Sequence, residues 1–226
     1  KALVKTFVEG LDQHSVTGAL MMGIDYEEFY ERYKAGDAEC KKIRSAGKAV
    51  SFGILYGAQA FTVSQSLSDA LGYTVSMEEA QELMNKYMAA YPEVIATIDM
   101  FQHTAKSKKI ARTITGRFIH FPDMDDPRPW LRKRSLRQSI NNPIQGSAAD
   151  IVKKAMILCT RDTSLKDMNC EIRLQVHDEL IFNVPKVHSE KCAGIIKELM
   201  ENPFTEPLAV PLKTEPEIAK SYGDLK

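Results

Sequence analysis

The sequence predicts a mostly helical α+β fold, and three observations carry that expectation. Apolar stripes at helical period, bracketed by capping residues, fill most of residues 1–165. Two short β-rich runs, 171–175 and 180–184, flank the charged piece Val176-His177-Asp178-Glu179. The composition, 44% hydrophobic and 27% charged over 226 residues, is that of a globular chain able to bury a core. Together they divide the chain into an α-rich part, 1–165, and a small α/β part, 166–226.

The elements follow from local chemistry. Asp25 and Asp37 are placed to accept hydrogen bonds from the first amides of helices over 26–35 and 38–56, and Gly57 stands where the second should stop. Ser76 followed by Glu79 is a capping box opening a helix to about Ala90. Pro92, whose fixed φ suits a first helical position, starts the next helix, to about Lys108. The period then changes: Thr113, Ile114, Gly116, Arg117, Ile119 and Phe121 read as a short hairpin over 112–122, and 123–129 as a loop. Two helices are expected over 130–140 and 146–164, separated by Pro143 because proline removes a helical hydrogen bond. The runs around His177-Asp178-Glu179 form a hairpin with charged groups at its tip. A helix over 188–201 and an extended segment over 208–216 complete the chain. Internal repeats and low-complexity linkers are absent.

Composition removes several function classes. Cys40, Cys159, Cys170 and Cys192 lie far apart without CxxC spacing, so they read as reduced packing residues and not as a zinc site or disulfide framework. No apolar run approaches the roughly 18 residues of a membrane helix. No secretory start is present, and Lys1 begins in mid-pattern, as in a chain cut from something longer. An intracellular location is the expectation. The zero net charge conceals a segregation: residues 1–100 carry 9 basic and 14 acidic side chains, 101–160 carry 12 and 4, and 161–226 carry 9 and 12. A phosphate-tracking groove benefits from such a basic stretch, although an ordinary solvated face can also show one.

Three constellations can carry chemistry. Arg44, Lys48, Phe52 and Tyr56 recur every fourth residue, forming one stripe on a helix with Gly53 and Gly57 beside it. Two cations followed by two aromatics suit a nucleoside triphosphate laid lengthwise, with phosphates on Arg44 and Lys48 and sugar and base against Phe52 and Tyr56. An amphipathic helix burying both rings has the same pattern. His177-Asp178-Glu179 puts carboxylates on a rigid hairpin tip, an arrangement suited to Mg²⁺, which takes one or two protein carboxylates and completes its shell with water and phosphate. A polar turn would look alike. Arg137, Asn141 and Gln145, again at spacing four, adjoin the basic run Arg128, Arg132, Lys133, Arg134. Such side chains reach minor-groove acceptors common to all base pairs, which suits sequence-independent grip on a duplex, or they form a plain polar face.

The order and co-occurrence of these constellations is far more specific than any one of them. Over essentially its whole length the chain resembles the family A DNA polymerases, the bacterial polymerase I and phage type. Arg44–Gly57 is similar to that family's motif B on the long fingers helix, 175–179 to motif C, and 137–145 to the primer-template-contacting segment between them. Glu9-Gly10-x-Asp12-x-His14, Thr115-Gly116-Arg117 and Gly146-Ser147-Ala148-Ala149-Asp150 match more weakly in the same register.

The resemblance implies fingers helices plus part of an antiparallel palm sheet, an incomplete right-hand polymerase. It implies that Arg44 and Lys48 bind the incoming triphosphate, with Lys48 part of the catalytic machinery. Phe52 would lie against the sugar, where phenylalanine is associated with discrimination against dideoxynucleotides, and Tyr56 near the templating base. Arg137, Asn141, Gln145 and His177 would contact the primer–template duplex. Asp178 would be a catalytic metal ligand, with Glu179 a supporting carboxylate, in a two-Mg²⁺ displacement on the primer 3′-hydroxyl. The expected partners are primer-template DNA, dNTPs and the remainder of the polymerase, in the same or another chain, and no membrane.

One departure matters. The family's motif A, Asp-Tyr-Ser-x-Ile-Glu-Leu-Arg, is not in the sequence; Asp25-Tyr26-Glu27-Glu28-Phe29 lacks the serine and arginine and lies too close to Arg44. The expectation is therefore a portion with one of two metal-anchoring aspartates, inactive alone, either a fragment or one chain of a split enzyme. A single-subunit RNA polymerase would typically carry methionine-threonine in place of Phe52-Gly53 and HDS in place of His177-Asp178-Glu179. A reverse transcriptase would carry Tyr-x-Asp-Asp. A non-catalytic duplex-binding remnant would need neither Lys48, Tyr56 nor Asp178.

Overall fold

A computed structural model describes residues 2–225. Seven helices come first: α1 (Ala2–Val8), α2 (Gln13–Met22), α3 (Tyr26–Lys34), α4 (Ala38–Leu55), α5 (Ala60–Leu71), α6 (Met77–Ala90) and α7 (Pro92–Lys108). A hairpin of β1 (Ile110–Arg112) and β2 (Phe118–His120) follows, then the long α8 (Pro129–Arg161) and the short α9 (Thr163–Asp167). A second hairpin, β3 (Glu171–Val176) and β4 (Glu179–Asn183), and α10 (Ser189–Glu201) complete the regular structure. Among the described residues, two separate two-stranded antiparallel sheets and ten α-helices make a mostly-α α+β protein, as expected.

The capping chemistry is realised. Asp25 accepts from the Glu27 amide at 3.3 Å, and Asp37 accepts from Glu39 and Cys40 at 2.8 and 3.1 Å. Ser76 and Glu79 form the reciprocal capping box, and Pro92 occupies the first turn of α7. Gly57, at φ +70°, ends the α4 segment in the left-handed conformation glycine adopts without penalty. The hairpin expected over 112–122 begins slightly earlier, pairing Ile110 with His120, and a 3₁₀ turn, Pro122–Asp125, occupies the start of the expected loop. No strand forms over 208–216; the Thr214 amide there donates to the Glu201 carboxylate at 2.7 Å.

One expectation is corrected. Pro143 does not separate two helices: α8 runs unbroken through it. Proline in a helix interior costs about 3 kcal/mol. Here the ring of Pro143 and the neighbouring Ile140 are fully buried, and that burial outweighs the lost donor.

The chain forms two compact units. The first takes the chain up to Arg112 together with Arg117–Pro143. Its main core joins α4, α5, α6 and the start of α7 through Val50, Ile54, Val63, Leu67, Met84, Tyr87 and Tyr91. A smaller cluster seats Phe29 of α3 against Ala19 and Cys40. A third packs Ala111 of β1 and Phe121 onto Ala105 of α7. The second unit takes Thr113–Gly116 with the chain from Ile144 on. Its core sets Cys159, Leu165, Met168, Cys192 and Ile196 under the hairpin residues Ile172 and Phe182. All four cysteines are unpaired thiols, three buried and Cys170 half-buried, the packing role their spacing implied. No helix among the described residues is long and apolar enough to cross a membrane.

Candidate functional site

In the first unit α4 presents the predicted stripe. Arg44 is half-buried and Lys48 exposed, and Tyr56 is the residue that caps the helix, just beyond Leu55. An ordinary amphipathic helix would bury Phe52 and Tyr56; here they are 38% and 41% exposed. Their rings lie nearly parallel, with centroids 5.9 Å apart. The Lys48 ammonium stands 5.6 Å from the Phe52 centroid. Cation, cation, ring, ring therefore form a row along α4 and its cap, exposed at Lys48, Phe52 and Tyr56 and half-buried at Arg44.

The neighbourhood supplies two groups that the sequence marked as a match without giving them a role. Asp12, the cap of α2, accepts from Arg44 Nε at 2.6 Å and Nη2 at 3.0 Å. Burial pushes the Asp12 carboxyl upward, but the hydrogen bonds from Arg44 and Ser15 prevail and hold it below the usual range. The pairing raises the already high pKa of Arg44. Two of the five guanidinium donors are committed to Asp12, and the rest remain for an anion. Two residues on, His14 meets Phe52 edge-on at 5.5 Å. Its Nδ1 is buried without a hydrogen-bond partner among the described residues. Burial lowers the His14 pKa, and the positive charges of Arg44 and Lys48 lower it further against the opposing pull of Asp12. The spacing Asp12-x-His14 was legible, but its pairing with α4 arises only from the α2–α4 crossing.

Two glycines of α4, Gly53 beside the stripe and Gly47 behind it, are explained by packing. A Cβ on Gly53 would lie 2.8 Å from Val63 Cγ2, so α5 and not a ligand makes the close approach there. Gly47 lets α4 sit on the α2 backbone: a Cβ would be 3.0 Å from the His14 carbonyl oxygen and 3.1 Å from the Gly18 nitrogen.

In the second unit β3 and β4 pair Val176 with Glu179, leaving His177-Asp178 as a two-residue turn. His177 has φ +54°, a left-handed conformation that histidine tolerates better than most residues. The Gln175 side-chain amide donates to the His177 carbonyl at 2.8 Å and braces the turn. His177, Asp178 and Glu179 are all exposed. No group of three His, Cys, Asp or Glu able to hold a metal occurs among the described residues. The tip thus offers hard carboxylate oxygens but not a complete coordination set.

Along α8, Arg137 is exposed and Asn141 half-buried, both in the first unit, and Gln145 is exposed in the second. The Asn141 side-chain oxygen is buried without a partner among the described residues. Part of the basic run is engaged internally. Arg128 pairs with the Asp126 carboxylate at 2.9 and 3.0 Å, and Arg132 donates to the Asp126 and Pro127 carbonyls at 2.6 and 2.9 Å. Lys133 and Arg134 are exposed. Two of the three weakly matching segments meet in the second unit: the Ile114 amide donates to Ser147 Oγ at 2.9 Å, and the Thr115 hydroxyl donates to Asp150 at 2.7 Å.

Comparison with known proteins gives a consistent result. The model of the family described as DNA polymerase family A matches residues 1–224. The thermostable DNA polymerase I of Thermus aquaticus is 34% identical over 225 residues, covering 99% of this chain and 24% of that protein. DNA polymerase I of Geobacillus stearothermophilus is 33% identical over 224 residues, with the same coverage of 99% and 24%. The chain therefore spans about a quarter of the length of these relatives. The polymerase domain of Pol1 from M. smegmatis, solved in complex with DNA primer-template and dNTP, superposes with a TM-score of 0.78 at 31% identity. That match covers 94% of this chain and 34% of the other.

Proposed function

The chain belongs to DNA polymerase family A, and from that premise we propose that it supplies the nucleotide-binding helix and one metal-anchoring carboxylate of a template-directed DNA polymerase. The observation that carries the reading is the row Arg44, Lys48, Phe52, Tyr56 along α4 and its cap, half-buried at Arg44 and exposed from Lys48 on, with His14 beside it. Arg44 and Lys48 neutralise triphosphate oxygens and hold the nucleotide in place. Phe52 packs against the sugar, and Tyr56 covers the nascent base pair. A stacking ring accepts any base, so base choice is left to pairing with the template. Arg137, Asn141, Gln145 and His177 grip the primer–template duplex without reading its sequence. In this reading α4 belongs to the fingers and the β3–β4 hairpin to the palm.

Asp178, with Glu179 beside it, fits magnesium as a partial donor set. Hard, exposed carboxylates are the right chemistry, and a shell completed by water, phosphate and a further aspartate is normal for this ion. When bound, magnesium supplies charge neutralisation at the phosphoryl group during in-line displacement. No motif A occurs within the 226 residues, so the chain alone does not extend a primer.

The test uses the complete polypeptide or assembly that contains this chain, assayed for primer extension with dNTPs and Mg²⁺. Asp178→Ala should reduce extension by roughly a thousandfold or more while primer–template binding persists, since it removes charge stabilisation and not grip. Lys48→Ala should raise KM for dNTP with little change in duplex affinity. Unchanged extension by Asp178→Ala would falsify the metal assignment. A duplex-binding remnant or a non-catalytic half predicts no extension from any such assembly and retained DNA affinity.

A further inference from the structure

We propose that α3 is a brace for Arg44, with Tyr33 as a positioning residue that holds the guanidinium ready for the triphosphate; this rests on the reading of Arg44 as a triphosphate ligand. One helix touches both members of the Arg44–Asp12 ion pair. At its first turn the Tyr26 hydroxyl oxygen accepts from the Asp12 amide at 3.2 Å. At its last turn the Tyr33 ring lies under the guanidinium, 5.1 Å from the centroid. Arg44 is thus fixed along one edge by Asp12, at 2.6 and 3.0 Å, and across one face by Tyr33.

The brace is itself held. Tyr26 stacks on Tyr30 with centroids 5.3 Å apart, and Tyr30 neighbours Tyr33 at 6.3 Å. The Lys34 ammonium covers Tyr30 at 4.4 Å. Phe29, beside the tyrosines on the same side of α3, is 0% exposed, and the helix docks through it, with Tyr33 packed against its cluster. A Cβ at Gly18 of α2 would lie only 2.5 Å from Phe29 Cζ, so α2 and α3 approach as closely as glycine permits. A free arginine side chain samples many rotamers, and that entropy opposes binding of an anion. An arginine held on edge and face has already given it up. Simple surface packing of three tyrosines explains their mutual contacts but not why both ends of the row meet one ion pair.

The experiment compares steady-state kinetics of the complete polymerase containing this chain. Tyr33→Leu should raise KM for dNTP by about two- to fivefold, the scale of a partly exposed cation–π contact, with kcat within about twofold. Tyr33→Phe, which keeps the ring, should behave as the unsubstituted protein. In an Arg44→Ala background, Tyr33→Leu should add nothing. An unchanged KM in Tyr33→Leu, or an equal rise with and without Arg44, overturns the brace while leaving Arg44 as a ligand. An unchanged KM in Arg44→Ala itself overturns the ligand reading and the brace with it. If Tyr33→Leu loses its cooperative melting transition, Tyr33→Met, which fills the space without a π face, takes its place with the same expected outcomes.

Discussion

Replacing Gly47 by alanine should destabilise the first unit, although alanine is the better helix former. The helical gain is about 1 kcal/mol. Against it, the new Cβ would stand 3.0 Å from the His14 carbonyl oxygen, 3.1 Å from the Gly18 nitrogen and 3.3 Å from Thr17 Cβ. Two of the three atoms are α2 backbone, which cannot rotate away, so α2 and α4 must separate by several tenths of an ångström. Overpacking of this kind costs about 1–3 kcal/mol, leaving a net loss on the order of 1 kcal/mol. Gly47→Val, with less helical gain and more volume, should lose about 2–3 kcal/mol. Gly194 in α10 is the control: nothing lies within 4 Å of its added Cβ, so Gly194→Ala should stabilise its unit by about 0.5–1 kcal/mol. Urea unfolding followed by far-ultraviolet circular dichroism gives the signs, and amide exchange in α2 and α4 locates the effect. A Gly47→Ala chain as stable as the unsubstituted one would refute the close crossing, and with it the geometry that sets His14 against Phe52.

Two further outcomes follow from titrating groups. The Arg128 guanidinium, bonded to Asp126 side chain to side chain and through its backbone amide, holds that carboxyl down to about 2. Its folded-state pKa is depressed, so its contribution to stability is present above the unfolded value of about 4 and disappears as pH falls toward 2. Arg128→Ala should return the Asp126 carboxyl toward the ordinary range in an NMR titration; no movement would show the pairing to be unimportant in solution. Burial pushes the thiol of Cys159 up to about 11, and burial with Cys192 alongside pushes Cys170 up to about 12. At pH 8 the native chain should therefore react with a disulfide reagent far more slowly than the urea-unfolded chain, which should titrate four thiols. A native cysteine reacting at the rate of an unfolded one would contradict the packing of these two thiols.

Much of the fold was legible because its instructions are local. Asp25, Asp37, Ser76 with Glu79, and Pro92 act on backbone groups within three or four residues, and each starts its helix where expected. The alternating runs at 171–175 and 180–184 needed only a two-residue turn between them to become a hairpin. Pro143 misled because the local rule, a missing donor, is overridden by burial that depends on residues distant in sequence. The same distinction holds in the site. The stripe Arg44, Lys48, Phe52, Tyr56 follows from helical spacing alone, but spacing does not say whether a face is buried or exposed.

By itself, then, the sequence determined the mostly helical α+β class, the stripe of two cations and two rings along α4 and the carboxylate-bearing turn at Asp178. These depend on periodicity, caps and turn chemistry, which act over a few residues. Only the tertiary structure decided that Phe52 and Tyr56 stand exposed, that Asp12 and His14 join the stripe, and that Tyr33 lies under Arg44. Those facts depend on how α2, α3 and α4 cross, and the crossing is set by the clearance at Gly18 and Gly47, which no local pattern encodes.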